Sequence, residues 1–557
     1  MLTPGYLAGL PAPMVELYSQ LESDIVCDMA RRISKMGAVT ETANYQAWRL
    51  EQLAGFQKST QKKLARMTGK TERQLRAMFR QAARDAVAAD SVIYEAAGLS
   101  PKPPSKNAAL NQIVQACEKQ TLGVFENLTR TTANTATRQF ERALDRAALQ
   151  IGSGAFDYRT AIRRAVKDLS GQGIETIVYS KGGRVTQRAH LDVAVRRAVL
   201  TGVNQMAAQV SLANAQLLGC DLVETTAHQG ARPEHTEWQG KIFSISGRHP
   251  KYPQLAKATG YGTGDGLCGW NCRHSFYPYF EGLSEPAYTK ESLDDMAAAT
   301  VFYNGEELTQ YDASQRQRAI ERNIRRWKRE YLAMEAAGED TTEAALKLKK
   351  WRAVQADFCR QTGLRADGFR GQVVGFGRSQ ASKATVIAQE WHLAWIKSIN
   401  AQDSEFRSLA KYYEEKYNNS PSYRLLRQYA ADVKSGWLSP LSGFTNYRNL
   451  YNRLQNEVVG KTAANGTVIT GQVPHFMQRV VGTLVDPKKL KENLQIIRRS
   501  GVSVEDIEEA LFSPEKVGKV LLQKSGKRSI KLYGSNCAVA INPDTGMLIQ
   551  TNPRGSE

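Results

Sequence analysis

The chain has 557 residues, 42% hydrophobic and 23% charged, and its 75 lysines and arginines outnumber 55 acids for a formal net charge of +20. That length exceeds one ordinary core, so several domains are expected, with the composition of a soluble globular protein. No run of about 18 consecutive apolar residues occurs, so no membrane-spanning helix is expected.

The N-terminus, MLTPGYLAGLPAPMVELYSQ, lacks the basic and long apolar regions of a signal peptide, and folding in a cytoplasm is expected. Residues up to about 220 read as helical. TERQ (Thr71–Gln74) reads as a capping box, with Leu75, Met78, Phe79 and Ala82 following at helical spacing. PKPPSKN (Pro101–Asn107) is a loop, and a second helical block runs from about Ala108 to Ile151. A short strand is expected at Thr176–Tyr179 and a third helical block over roughly Gln187 to Leu218.

From Asp221 the texture changes to short alternating runs and turns. Four of the seven histidines fall here, His228, His235, His249 and His274, close to Cys268 and Cys272. Zinc takes about four nitrogen or sulfur ligands, and His228, His235, Cys272 and His274 supply one such set. The spacings are not those of a standard zinc finger, and the alternative is a compact loop core in which these side chains hydrogen-bond to one another. YGTGDG is neither G-x-G-x-x-G nor a P-loop, so a nucleotide loop is disfavoured. A Cys272 nucleophile activated by His274 is a weaker alternative still. The glycines read as tight turns, with Trp270, Phe276, Tyr277 and Tyr279 packed around them.

Helices return after about Pro286. Ile320, Ile324, Trp327, Tyr331 and Met334 form an apolar stripe flanked by Arg318, Arg322, Arg325, Arg326, Lys328 and Arg329, read either as a basic stripe or as a solvated face. Asp340–Glu343 caps the next helix, Phe369–Ala384 reads as a linker, and more helices fill Thr385 to about Val459. The end of the chain carries a short helix after His475, another over Val504–Leu511, and four strand-like runs, KVLLQ, SIKLY, CAVAI and MLIQT.

The fold class expected is α+β multidomain. Mostly helical N-terminal and middle regions surround a loop- and strand-rich core, with a small helix-plus-antiparallel-sheet domain at the end. The expected divisions are 1–220, 221–285, 286–375, 376–459 and 460–557. The cysteines number seven and are mostly isolated, which argues against a disulfide framework.

HTEWQGKIFSISG (His235–Gly247) and YPQLAKATGYGTGDGLCGWNCRHSFYPYFEG (Tyr252–Gly282) resemble the signature of the tailed-phage minor capsid protein 2 family, akin to Mu F-type head morphogenesis proteins. The resemblance covers roughly residues 1–375. It implies a minor head component inside the virion near the portal vertex, acting in procapsid assembly and DNA packaging or ejection. Its partners would be the portal protein, a major capsid or scaffold protein, and phage DNA. No cofactor is expected, a structural zinc being the one alternative.

The segment from 460 onward resembles C-terminal domains of phage head proteins grouped with the barnase–EndoU–colicin–RelE-like nucleases. That resemblance implies a metal-independent ribonuclease with His475 as base or acid, Arg479 and Arg528 on phosphate, Thr551 as a donor, and Lys527 and Lys531 in reserve. Host RNA would be the substrate, and the head segment could then be only a carrier for a virion-delivered effector. The segment has a single histidine, so the second proton transfer falls to another residue or to water. The alternative is structural, with His475 packing its helix and Arg479 paired with an acid such as Asp486.

Overall fold

Apolar residues repeating at helical spacing build most of the chain, and they do so in two separate units, Met1–Ala384 and Thr385–Glu557. The computed structural model describes residues 1–38, 42–181, 184–484, 499–522, 526 and 528–554. Asp486 and Lys527 lie outside the described residues.

In the first unit, long helices at Ala12–Ile33, Thr42–Ala96, Ala108–Gly152, Tyr158–Gln172 and Leu191–Leu217 share one core with the end of the Gln310–Ala337 helix. Phe56 and Phe140 meet with ring centroids 4.8 Å apart, joining the second and third of these helices. The 55-residue Thr42–Ala96 helix is about 80 Å long at 1.5 Å per residue. It runs straight through Thr71–Gln74, so the capping box is not used. Leu64, Met67, Leu75 and Phe79 keep one buried face across that point, and the Thr71 hydroxyl lies against Tyr18. Asn107 caps the next helix instead, accepting from the backbone N–H groups of Ala109 and Leu110 at 3.1 and 3.3 Å. The strand expected at Thr176–Tyr179 lies in a hairpin, Glu175–Lys181 against Arg184–His190.

The region from Asp221 holds a three-stranded antiparallel sheet. Leu222–Thr225 is central, between Ile242–Ser244 and Phe276–Tyr279, and all four of its residues are buried. This sheet and its loops carry a separate small core of Val223, Trp238, Phe243, Leu255, Leu267, Cys268, Cys272 and Phe276.

The stripe of the Gln310–Ala337 helix is buried as expected, but its basic flank is only partly a solvated face. Arg325 pairs with Asp192, and Arg329 reaches Glu22 at 3.5 Å with both partners buried. Glu22 also accepts the Ile174 N–H at 2.9 Å, so one carboxylate ties three segments together. Lys328 donates to the Gly371 carbonyl at 2.6 Å.

The expected linker at Phe369–Ala384 is helical from Arg378 onward, within a helix that runs to Ser398. The segments set apart at 376–459 and 460–557 share one core beyond residue 385. Ile396, Phe406, Tyr429, Tyr447 and Leu454 are buried with Phe476, Ile507, Leu532, Val539 and Leu548. Aromatic residues on the helices supply the apolar surface that a sheet this small lacks. Strands follow the order Lys516–Val517, Arg528–Tyr533, Cys537–Ile541, Met547–Pro553, Gly471–Gln472; the last pairing is parallel and the others antiparallel. Leu521–Leu522 pairs with the Arg528–Tyr533 strand as well.

All seven cysteines are free thiols; Cys117, Cys220, Cys268, Cys272 and Cys537 are buried, and Cys27 and Cys359 are half-buried.

Candidate metal centre and arginine-lined cavity

The glycine-rich loop after Thr259 folds back on its own backbone. A side chain on Gly266 would overlap the Gly260 carbonyl, and one on Gly269 the Gly264 carbonyl, so close backbone approach requires glycine at both. Cys268 and Asn271 are left-handed at φ 59° and 56°. Phe276, Tyr277 and Tyr279 are buried on their strand, whereas Trp270 lies over Gly264 and stays 39% exposed. The knot is pinned from outside by Asn204, a fully buried residue of the Leu191–Leu217 helix. Its amide donates to the carbonyls of Cys272 and His274 at 3.2 and 2.9 Å.

This folding brings together three of the four side chains expected to hold zinc. His235 Nδ1 and His274 Nδ1 are 3.4 Å apart, and Cys272 Sγ lies 3.9 and 3.5 Å from them. All three residues are buried. The remaining ring nitrogens have fixed partners: His235 Nε2 meets the Asp265 carbonyl at 2.9 Å, and His274 Nε2 meets Gln239 Oε1 at 3.0 Å. Burial and neighbouring positive charge push His274 down to about 2, and burial lowers His235 as well, so both rings are neutral. Burial pushes the Cys272 thiol up.

His228 stands outside this group. It stacks on the His274 ring at 4.4 Å, and its Nδ1 donates to the Gln229 carbonyl at 2.9 Å. His249 is elsewhere, beside Glu281 at 3.6 Å and stacked on Tyr252. Gln239, Asp265 and Asn204 were not read from the sequence. Asn204 left one trace there, a polar side chain on the small, apolar face of its helix.

His235, Cys272 and His274 line a cavity of about 370 Å³, which also gathers Arg196, Arg232, Arg273, Arg318, Arg322, Arg325 and Arg370. The carboxylates lining it are Glu16, Asp192 and Glu321. Burial pushes Glu321 up to about 7, with Arg370 3.9 Å away. Desolvation and then the crowding of neighbouring guanidiniums bring Arg196 and Arg318 down to about 10. Asp192 answers Arg325, and Arg232 donates to the Trp270 carbonyl at 2.7 Å. Positive charge is thus in excess at the cavity wall, as in a site shaped for an anion.

In the second unit the structure joins His475 and Arg479 but not the other two expected nuclease residues. Arg479 Nε donates to His475 Nε2 at 3.2 Å, which places the proton of a neutral His475 on Nδ1, facing Gln478 Oε1 at 2.8 Å. Gln478 in turn donates to Asp432 at 2.8 Å. Arg528 is engaged with Asp544 at a hairpin turn. Thr551 is fully buried opposite Val539, beside the Cys537 thiol. Val539 pairs with Leu532, four residues from Arg528, so Arg528 and Thr551 are separated by about 13 Å along the strands. Lys531 pairs with Ala540 in the sheet.

Similarity places the chain among phage structural proteins. It is 27% identical over 257 residues to a structural protein of Lactococcus phage LL-H, covering 44% of this chain and 65% of that relative. A structural protein of Lactococcus phage mv4 is 38% identical over 96 residues, 17% of this chain and 68% of the relative. The chain belongs to the phage minor capsid protein 2 family, whose profile matches residues 2–360 and so takes in the sheet, the knot and the cavity. No solved structure matches it. The chain spans about 65% of the length of the LL-H relative.

Proposed function

We propose that this minor capsid protein sits at the portal vertex with its basic surface toward packaged DNA, and serves procapsid assembly and DNA packaging or ejection. The observation that carries the reading is the excess of positive charge. The chain is at +20 overall, and in the family-matching unit seven arginines against three carboxylates line one cavity. Guanidinium groups held in such excess suit phosphate, which they meet two oxygens at a time. Duplex DNA bound through phosphates loses affinity steeply as salt rises. The test is a salt titration of DNA binding by the full chain, coupled to fractionation of virions. A steep salt dependence, and release of the chain with portal or genome, is expected. Salt-independent binding, or absence from particles, would refute the reading.

A second reading is favoured by the His475–Arg479 contact: a ribonuclease in the second unit, acting on host RNA as a virion-delivered effector. In this geometry Arg479 holds a phosphate oxygen, and His475 Nε2 takes a 2′-hydroxyl proton once phosphate draws the guanidinium away. Asp432 and Gln478 orient the ring. The full chain would then cleave RNA without metal, and His475→Ala would abolish cleavage. Cleavage unchanged by that substitution would exclude it.

A further inference from the structure

We propose that His235, Cys272 and His274 bind one zinc ion through Nδ1, Sγ and Nδ1, with the fourth position open to the arginine-lined cavity and filled by an oxygen-donor anion. This goes beyond the role in the phage head and is independent of it.

The argument starts from proton bookkeeping. His235 Nε2 faces a backbone carbonyl, which only accepts, so it carries the proton of that ring. His274 Nε2 faces Gln239 Oε1, and the identity of that atom is set by the His228 backbone N–H, which donates to it at 3.2 Å. His274 Nε2 is therefore also the protonated nitrogen. Both Nδ1 atoms then present lone pairs to each other at 3.4 Å in a buried space. The thiol proton of Cys272 can satisfy one of them, not both. Two facing lone pairs without a donor between them repel, and an unsatisfied buried acceptor costs about 1–3 kcal/mol. A cation at the centre of the triangle removes the conflict.

The dimensions fit zinc. Tetrahedral Zn–N bonds of about 2.05 Å and Zn–S of about 2.3 Å give ligand-to-ligand edges of about 3.3 Å for N···N and about 3.6 Å for N···S. The corresponding separations here are 3.4 Å for the nitrogens and 3.5 and 3.9 Å for the sulfur. Each histidine also has the outer-shell acceptor on its far nitrogen that metal-ligating histidines use to fix their tautomer. Binding releases the thiol proton of Cys272 and leaves a thiolate.

Charge then selects the fourth ligand. Zinc with one thiolate carries a single net positive charge, and Arg232 and Arg273 stand on the same cavity wall. A neutral fourth ligand would leave these cations in mutual repulsion at low dielectric; hydroxide or another oxyanion relieves it. Cys268, the nearest other thiol, is turned to the His274 carbonyl at 3.5 Å and is not one of the clustered ligands.

The test is elemental analysis and zinc-edge X-ray absorption on the untagged full chain, purified without chelator. About one zinc per chain is expected, with one sulfur at about 2.3 Å and three light scatterers near 2.0 Å. The chelated protein, reloaded with Co²⁺, should give an intense tetrahedral cobalt spectrum with a sulfur-to-metal band. Cys272→Ser should lose that band, while His228→Ala and Cys268→Ser keep full stoichiometry. Zinc below a tenth of an equivalent together with no cobalt uptake by folded protein would overturn the site. Two sulfurs in the metal shell would overturn the open position.

Discussion

Gly266 and Gly269 have no room for a single methyl group, because each Cα faces a carbonyl of the same loop. Gly266→Ala is expected to destabilise the first unit by about 2–3 kcal/mol through overpacking, read as a lower midpoint in thermal unfolding. Asn204 offers a complementary check from the helix side. Asn204→Leu preserves volume but strands the Cys272 and His274 carbonyls, which receive the Asn204 amide at 3.2 and 2.9 Å. A loss of about 1–3 kcal/mol is expected, with faster modification of Cys272 by thiol reagents. At this scale the sequence was half legible. The crowding of histidines and cysteines marked the cluster, but His228 was grouped with His235, Cys272 and His274 because spacing alone does not say which imidazoles turn inward. Its partner, the Gln229 carbonyl, comes from local backbone conformation, which no residue pattern encodes.

The Gln310–Ala337 helix shows what a stripe pattern conceals. Its apolar face was readable from periodicity, but the fate of its charges depended on what packed against it. Glu22 and Asp192, far away in sequence, turn two arginines of a flank read as a basic stripe or a solvated face into ion pairs, the first buried and the second half-buried. Glu22→Ala leaves Arg329 buried without its carboxylate and the Ile174 N–H without its acceptor, so a loss of about 3–5 kcal/mol is expected in chemical denaturation. The same helix carries a pH effect. Burial raises Glu330 from 4.5 to about 7, so the folded state holds a proton that the unfolded chain has lost. The sign follows: this contribution is complete below about pH 4.5 and disappears as pH rises through 7, by up to about 3 kcal/mol. Glu330→Gln should flatten that decline and leave stability at pH 4 unchanged, as followed by denaturant midpoints across the range. The TERQ misreading has the same origin, since a capping signal yields when a buried face continues on both sides of it.

At the level of the whole chain, the α+β class and the strands at SIKLY, CAVAI and MLIQT were legible, while the KVLLQ run, of which only Leu521–Leu522 is strand, and the grouping into units were not. The aromatic residues of the helices beyond residue 385 pair largely among themselves, as Tyr429 does with Phe444 and Tyr447, and nothing in local sequence shows that the same core also takes in distant strands, as the burial of Ile396 with Leu548 illustrates. Residues 385–557 expressed alone are therefore expected to unfold in one cooperative step, whereas a fragment starting at 460 should lack fixed tertiary structure by near-UV circular dichroism. The cysteine pattern carries one more consequence. A virion matures in a reducing cell and then persists in aerated surroundings, where sulfenic acids form on thiols that are both ionised and within reach of peroxide. Five of the seven sulfurs are enclosed, and burial pushes even the half-buried Cys27 and Cys359 thiols up, so weathering of this chain should be slow and should start at those two positions.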